Sequence, residues 1–408
     1  MRYKEIFKIA IFKDFILNIL ASLLLTIATQ FIAYPYLSRL MSSEEYGFLL
    51  MVMGVVNAVG VSLGNPLNNT RILLQPEYDK ENLNGDYNPL FFASIIVNVF
   101  VVAILAIIAL QKFDTTVIGC IVISLLVLFR SYYSASYRII IDYKKNLYSS
   151  GFGFVGYILG VVITYYTNVW VFTFIFGELF SCIYIYFTAE IVHDKFQLTP
   201  LFKKSFYKYI LIMSAAVLST MMMYMDRFFI YPILGAEQVS IFTVASFLGK
   251  TAGIVMTPIA GVLLTYYAKE SKLTTRQFYI RTGLFTLTAV IFYFVTLLVG
   301  IPITRFLYPT LVDSAETYLF IANLATTVFV LGNTIQPTLL RFCNAKWQPI
   351  IQGVYFISYL LFGYIGMAQN GLMGFCYSVL IVNTLKIVLM VCITTVILYQ
   401  QEKKEIVS

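Results

Sequence analysis

Seven ionisable side chains lie inside long apolar runs or at their inner edges: Arg71, Arg130, Glu178, Asp226, Arg227, Lys250 and Lys386. A charge at the centre of a membrane helix costs about 2.5–3.5 kcal/mol on insertion scales, so such groups face a cavity, a partner or water. Five of the seven are basic, which suits an anionic ligand better than a cationic one. Each also has a plainer reading. Arg71 and Arg130 are close enough to a boundary for their heads to reach water. Lys250 and Lys386 fall about halfway along their runs, where a structural ion pair with Glu178 is the alternative. Asp226 and Arg227 are neighbours, so on a helix they point about 100° apart and do not pair head-on. At least one of them needs another partner or water.

Other chemistries lack their residues. His193 is the sole histidine, and Cys120, Cys182, Cys343, Cys376 and Cys392 lie in or beside apolar runs without a CxxC. That inventory assembles no thiol–histidine metal site, and the cysteines read as small apolar packing residues. No GxxxxGK[ST] phosphate loop occurs, and no Ser/His/Asp arrangement is available away from His193. Neither a cofactor nor an enzymatic reaction is expected.

The elements that position the seven charges are membrane spans. Of 408 residues, 60% are hydrophobic and only 12% charged, about half the charge of a soluble domain. A bilayer core about 30 Å thick takes roughly 20 apolar residues per helix. Twelve runs meet that length, at 15–35, 47–66, 90–110, 117–136, 147–166, 169–190, 210–233, 239–265, 279–300, 317–340, 348–368 and 372–398. The connections between them are too short for a soluble catalytic domain. With the N-terminus inside, 21 Lys and Arg fall on inward segments, and only Arg39, Lys112 and Arg305 on outward ones. The positive-inside rule then places both termini in the cytoplasm and accounts for the +8 net charge without nucleic acid. Arg2 and Lys4 precede a run with no small-residue cleavage pattern, which reads as a retained first helix.

The inward segment 191–209, with Lys195, Lys203, Lys204 and Lys208, separates a first lobe (1–190) from a second (210–398) and a tail (399–408). The halves share weak internal similarity. Phe31–Pro35 (FIAYP) parallels Phe228–Pro232 (FFIYP) at an offset of 197, and Glu45/Glu237 and Pro66/Pro258 follow at 192. Six helices per half is even, so both halves enter from one side and form a parallel repeat about an axis along the membrane normal, with the substrate site expected between them. Pro35, Pro66, Pro232, Pro258 and Pro337 in or near spans predict bends. Tyr132-Tyr133, Tyr165-Tyr166 and Tyr266-Tyr267 at span ends read as interfacial belts. The sequon Asn68-Asn69-Thr70 faces the cytoplasm and is discounted.

The run Arg39-Leu40-Met41-Ser42-Ser43-Glu44-Glu45-Tyr46-Gly47-Phe48 resembles the R-x-L-(G/S)-x-x-x-(Y/F)-G connection of polysaccharide exporters, the Wzx-type O-antigen flippases of the MATE-like MOP superfamily. A looser second copy, Asp226-Arg227, Leu234-Gly235-Ala236-Glu237, then Ile241-Phe242 with Ala245, is similar to the family's D-(R/K)…LG…(V/A)-G-x-(Y/F) element; Val239-Ser240 stands where a small residue and Gly are usual. Gln336-Pro337, Arg341 and Lys346 resemble the family as well. The resemblance implies an all-α fold of two six-helix lobes around a cationic cavity in a bacterial inner membrane. The implied substrate is an undecaprenyl-diphosphate-linked oligosaccharide moved from the cytoplasmic to the outer leaflet. Arg71, Arg130, Arg227, Lys250 and Lys386 would receive its head group, since Arg and Lys offer charge-assisted contacts to phosphate. Asp226 and Glu178 would hold basic partners or carry a coupling H+; Na+ is the other coupling ion. A polysaccharide polymerase and a chain-length regulator are the expected protein partners.

Two rival functions make different demands. A drug or cation extruder of the same superfamily calls for an acidic or aromatic cavity with few fixed cations. An O-antigen polymerase calls for a large Arg-rich outward loop, whereas the longest outward segment here, 301–316, holds only Arg305.

Overall fold

The computed structural model describes residues 16–110, 114–253, 256, 267, 272–343 and 346–407. Arg2, Lys4, Lys8, Lys13, Lys112, Pro258, Tyr266, Lys269 and most of the inner part of the eighth run lie outside the described residues.

Six helices precede the linker: α1 (Ile16–Leu40), α2 (Ser43–Lys80), α3 (Tyr87–Leu110), α4 (Thr115–Ile139), α5 (Tyr143–Thr167) and α6 (Val171–Thr188). After a short 3-10 turn at Glu190–His193 come α7 (Phe202–Leu234) and α8 (Ala236–Ala245), which breaks at Ser246 and resumes over 247–253. Then follow α9 (Thr275–Leu307) and α10 (Val312–Phe342). The final helical stretch, Trp347–Val407, is two spans, because Asn370 and Gly371 leave helical geometry and Gly371 takes φ +54°. They are α11 (347–369) and α12 (372–407). A left-handed residue without a Cβ is the least strained way to separate two helices so abruptly. Among the described residues twelve helices follow in the expected order.

Prolines shape α1. Pro35 has no N–H to give, and the turn before it widens to a π stretch, Ile27–Ala33, with the Tyr34 N–H reaching the Thr29 carbonyl. A π bulge keeps the backbone bonded where a simple kink would leave carbonyls bare in lipid.

The chain forms two compact units. One comprises Met1–Leu40 and Phe48–Phe229, the other Met41–Gly47 and Ile230–Ser408.

In the first unit, small residues set helix spacing. On α2, Gly60 and Gly64 face α4 so closely that a Cβ on Gly64 would come 2.6 Å from Ser131 Cβ. Gly156 and Gly160 do the same for α5 against α6; a Cβ on Gly160 would meet the Thr173 carbonyl at 2.7 Å. Membrane helices associate through such close backbone approach, since lipid supplies no hydrophobic drive between them. A tyrosine-rich core at one end joins Tyr78, Tyr87, Tyr132, Tyr133, Tyr137 and Tyr209. Tyr132 and Tyr133 are therefore core residues, which corrects the reading of that pair as an interfacial belt: Phe91 stacks on Tyr132 and meets Tyr133 edge-on. Tyr165 and Tyr166 are exposed, as a belt requires. The linker is tied to this unit. Buried Asp86 accepts from the Tyr78 hydroxyl and the Thr199 N–H, and its own N–H donates to the Gln197 carbonyl.

In the second unit, the Asn323 side chain on α10 repairs the break in α8. Its Nδ2 donates to the Ala245 carbonyl at 2.7 Å and its Oδ1 accepts from the Gly249 N–H at 2.8 Å. Asn383 on α12 donates to the Ala325 carbonyl (2.8 Å) and accepts from the Tyr355 hydroxyl (3.0 Å), joining α12, α10 and α11. Ser43 and Ser240, from the two copies of the motif, share a hydrogen bond at 3.0 Å.

Candidate functional site

The α5–α6 contact places Glu178 opposite Arg130 of α4. Arg130 Nε donates to Glu178 Oε2 at 2.5 Å and Nη2 to Oε1 at 3.2 Å, and the Tyr157 hydroxyl donates to Oε1 at 3.0 Å. Two guanidinium nitrogens on one carboxylate make a directional, charge-assisted pair. Glu178 is buried, while the Arg130 side chain keeps 26% exposure. That exposure faces a cavity of ≈ 140 Å³ among α1, α4, α5 and α6, walled by Arg130 and by Ser22, Ser134, Asn146, Ser149, Ser150 and Ser181. Glu178, the ion-pair partner considered for Lys250 and Lys386, is thus engaged elsewhere.

Arg71 sits 28 positions beyond Ser43, the first residue of α2, about 42 Å along a helix rising ~1.5 Å per residue, which exceeds a ~30 Å hydrocarbon core. It does not extend into water there. It is buried, pairs with Asp194 of the linker at 2.5 Å, donates to the Tyr132 hydroxyl at 3.0 Å and lies 5.0 Å from the Tyr87 ring centroid. The discounted sequon is part of this end as well: Asn68 donates to the Ser131 carbonyl and accepts from Arg138.

Asp226 and Arg227 are both buried on α7. Arg227 donates to the Leu50 carbonyl at 2.9 Å, with its guanidinium 5.5 Å from the Tyr224 ring centre. Lys250 is half-buried, its ammonium 5.1 Å from the Phe242 ring centre. Cations over aromatic faces gain about 0.5–2 kcal/mol, most when desolvated.

Lys386 occupies the most unusual setting. It is 4% exposed, and its ammonium sits 4.8 Å from the Tyr355 ring centre and 5.2 Å from that of Phe329. One long hydrogen bond goes to Asn333 Oδ1 at 3.4 Å. Among the described residues no carboxylate lies within ion-pair distance of it. Rings and an amide dipole hold this cation, and among the described residues no opposite charge cancels it.

The structure therefore joins Arg130 to Glu178, gives Arg71 a partner outside the spans, and leaves Lys386 caged. Sequence reasoning missed the neutral residues that do the positioning: Tyr157, Asn323, Asn333, Asn383 and the serines around Arg130. A signal existed for one of them, since Asn383 and Lys386 are three residues apart and share a helix face. No group of His, Cys, Asp and Glu able to hold a metal occurs among the described residues.

In sequence the chain matches no protein family and no curated protein. In fold it matches solved membrane transporters. The lipid II flippase MurJ in an inward closed conformation aligns with a TM-score of 0.69 at 14% identity, over 98% of this chain and 87% of that one. A multidrug resistance MATE family transporter of the MOP superfamily, inward-facing, gives 0.63 at 13% identity, over 95% and 96%. A mutant of the Vibrio cholerae MATE transporter VcmN gives 0.55 at 13% identity, over 96% and 97%. The chain has the MATE-like fold that these transporters share with MurJ, all-α with twelve helices among the described residues.

Proposed function

We propose that this protein is a flippase for an undecaprenyl-diphosphate-linked oligosaccharide, the repeat unit of an O-antigen or similar surface polysaccharide. It would carry that unit from the cytoplasmic to the outer leaflet of a bacterial inner membrane by alternating access. The observation that carries this reading is Lys386, a cation held deep in an apolar span by aromatic rings and an amide, with no carboxylate at ion-pair distance among the described residues. A buried, uncompensated ammonium is costly to keep. A diphosphate head that is bound for part of the cycle repays that cost through charge-assisted contacts. Arg227 and Lys250 serve the same head group, with Asp226 as the acidic partner or coupling carboxylate. Arg71, locked to Asp194, holds the first unit together.

The fold likeness to MurJ, named a lipid II flippase, supports a lipid-linked substrate. The likeness to MATE transporters favours a second reading, extrusion of drugs or organic cations. The excess of buried basic residues stands against it, because a cation would meet like charge.

Deletion in the source bacterium separates the readings. A flippase mutant loses surface polymer and accumulates complete single repeat units on the cytoplasmic leaflet. Unchanged polymer with new drug sensitivity would sink the flippase reading and favour extrusion. Single units reaching the outer leaflet unpolymerised would point instead to a polymerase.

A further inference from the structure

The cavity beside Arg130 has a chemistry of its own. Five of its ten lining residues are serines: Ser22 from α1, Ser134 from α4, Ser149 and Ser150 from α5, and Ser181 from α6. Ser149 and Ser181 bond each other at 2.8 Å, which leaves each with further donor or acceptor capacity. Ser150 is 4% exposed, yet its hydroxyl has no protein partner among the described residues and borders the cavity. Arg130 spends Nε and Nη2 on Glu178, which leaves Nη1 without a hydrogen bond.

Charge decides what such a cavity selects. Glu178 cancels Arg130 at 2.5 Å, so the space attracts neither an anion nor a cation strongly. Serine hydroxyls both donate and accept, the pattern that a ring bearing several hydroxyls presents in return. A volume of ≈ 140 Å³ open to water centres, at ~10–15 Å³ of such space per water, corresponds to roughly ten waters, about the number of non-hydrogen atoms in a single hexose.

We propose that this cavity in the first unit is a subsite for one uncharged sugar residue of the transported saccharide. It rests on the flippase reading for the origin of the sugar, but not for the binding itself. Arg130 Nη1 and the Ser150 hydroxyl are the groups that wait for ring hydroxyls, and the neutral Arg130–Glu178 pair discriminates against acidic sugars.

The test uses the full chain purified in nanodiscs, with four probes: glucose, N-acetylglucosamine, glucuronate and inorganic phosphate. Ligand-observed saturation-transfer NMR reads binding at millimolar concentration. The neutral sugars should bind and the two anions should not. Ser150→Ala should weaken neutral-sugar binding about fivefold, the effect of one ordinary hydrogen bond. Ser150→Phe, which fills the space, should abolish it. Should Ser150→Phe fail to fold, Ser150→Ala with Ser181→Ala must still weaken binding further than either alone. Binding of phosphate or glucuronate in preference, absence of any sugar signal, or a signal untouched by the serine changes overturns the subsite. Failure of the flippase reading looks different: normal polymer in the deletion strain while purified protein still binds neutral sugar.

Discussion

Replacing Glu178 by Gln keeps the side chain's shape and removes the charge that cancels Arg130. At an effective dielectric of ~20, unit charges about 4 Å apart attract by about 4 kcal/mol, and removing one partner of a buried pair typically costs about 3–5 kcal/mol. Glu178 is only 6% exposed, but the Arg130 side chain is 26% exposed on its cavity, so the lower end applies, about 3 kcal/mol. In a unit of roughly 220 residues, that lowers the thermal midpoint by about 6–12 °C. Arg130→Gln should cost a similar amount, because it strands a buried carboxylate that Tyr157 alone serves. The double variant decides the matter, since with both charges gone nothing is left uncompensated. Thermal midpoints of purified wild type, both singles and the double form a cycle, with an expected coupling of about 2 kcal/mol or more. A double variant equal to the sum of the singles, within the ~0.5 kcal/mol of independent sites, would refute the pairing as a stabilising unit. Glu178→Gln should also turn the neighbouring cavity cationic, so that glucuronate, excluded by wild type, now binds.

Three further changes separate function from fold. Lys386→Met removes a buried cation of similar length and volume; export should stop while the thermal midpoint does not fall, and a clear loss of stability would make Lys386 structural. Arg71→Ala should do the reverse in part, costing about 2–4 kcal/mol by leaving the Tyr132 hydroxyl and Asp194 without their partner, as read by the thermal midpoint. Gly160→Leu should prevent close approach of α5 to α6 and deplete monodisperse protein on gel filtration, whereas Gly151→Leu, with open space beside it, should not.

The helices were legible because a lipid-spanning segment must be long and apolar, a property local to each run. Even the division of Trp347–Val407 into two spans followed from run length, before Asn370 and Gly371 were seen to break it. Pairing was not legible, because it depends on which faces of separate helices meet. Glu178 lies 48 residues from Arg130, and the close approach of Gly119 on α4 to Val171 on α6, which carries no charge signal, helps bring their helices together. Tyr132-Tyr133 has the same composition as Tyr165-Tyr166, yet Phe91 and Tyr87 cover the first pair and lipid or water meets the second.

Partner geometry also changes the meaning of the charge count. Five basic residues against two acidic ones looks like a span charge of plus three. Asp194, outside the spans, cancels Arg71, and Glu178 cancels Arg130. Among the described residues Lys386 has no carboxylate at ion-pair distance. A diphosphate joined at both ends to carbon carries two negative charges and would gain from a cation held in that way, whereas an organic cation would meet like charge. On the proposed lining role, Arg227→Gln and Lys250→Gln should each lower export at unchanged protein level, and normal export in both would defeat that role.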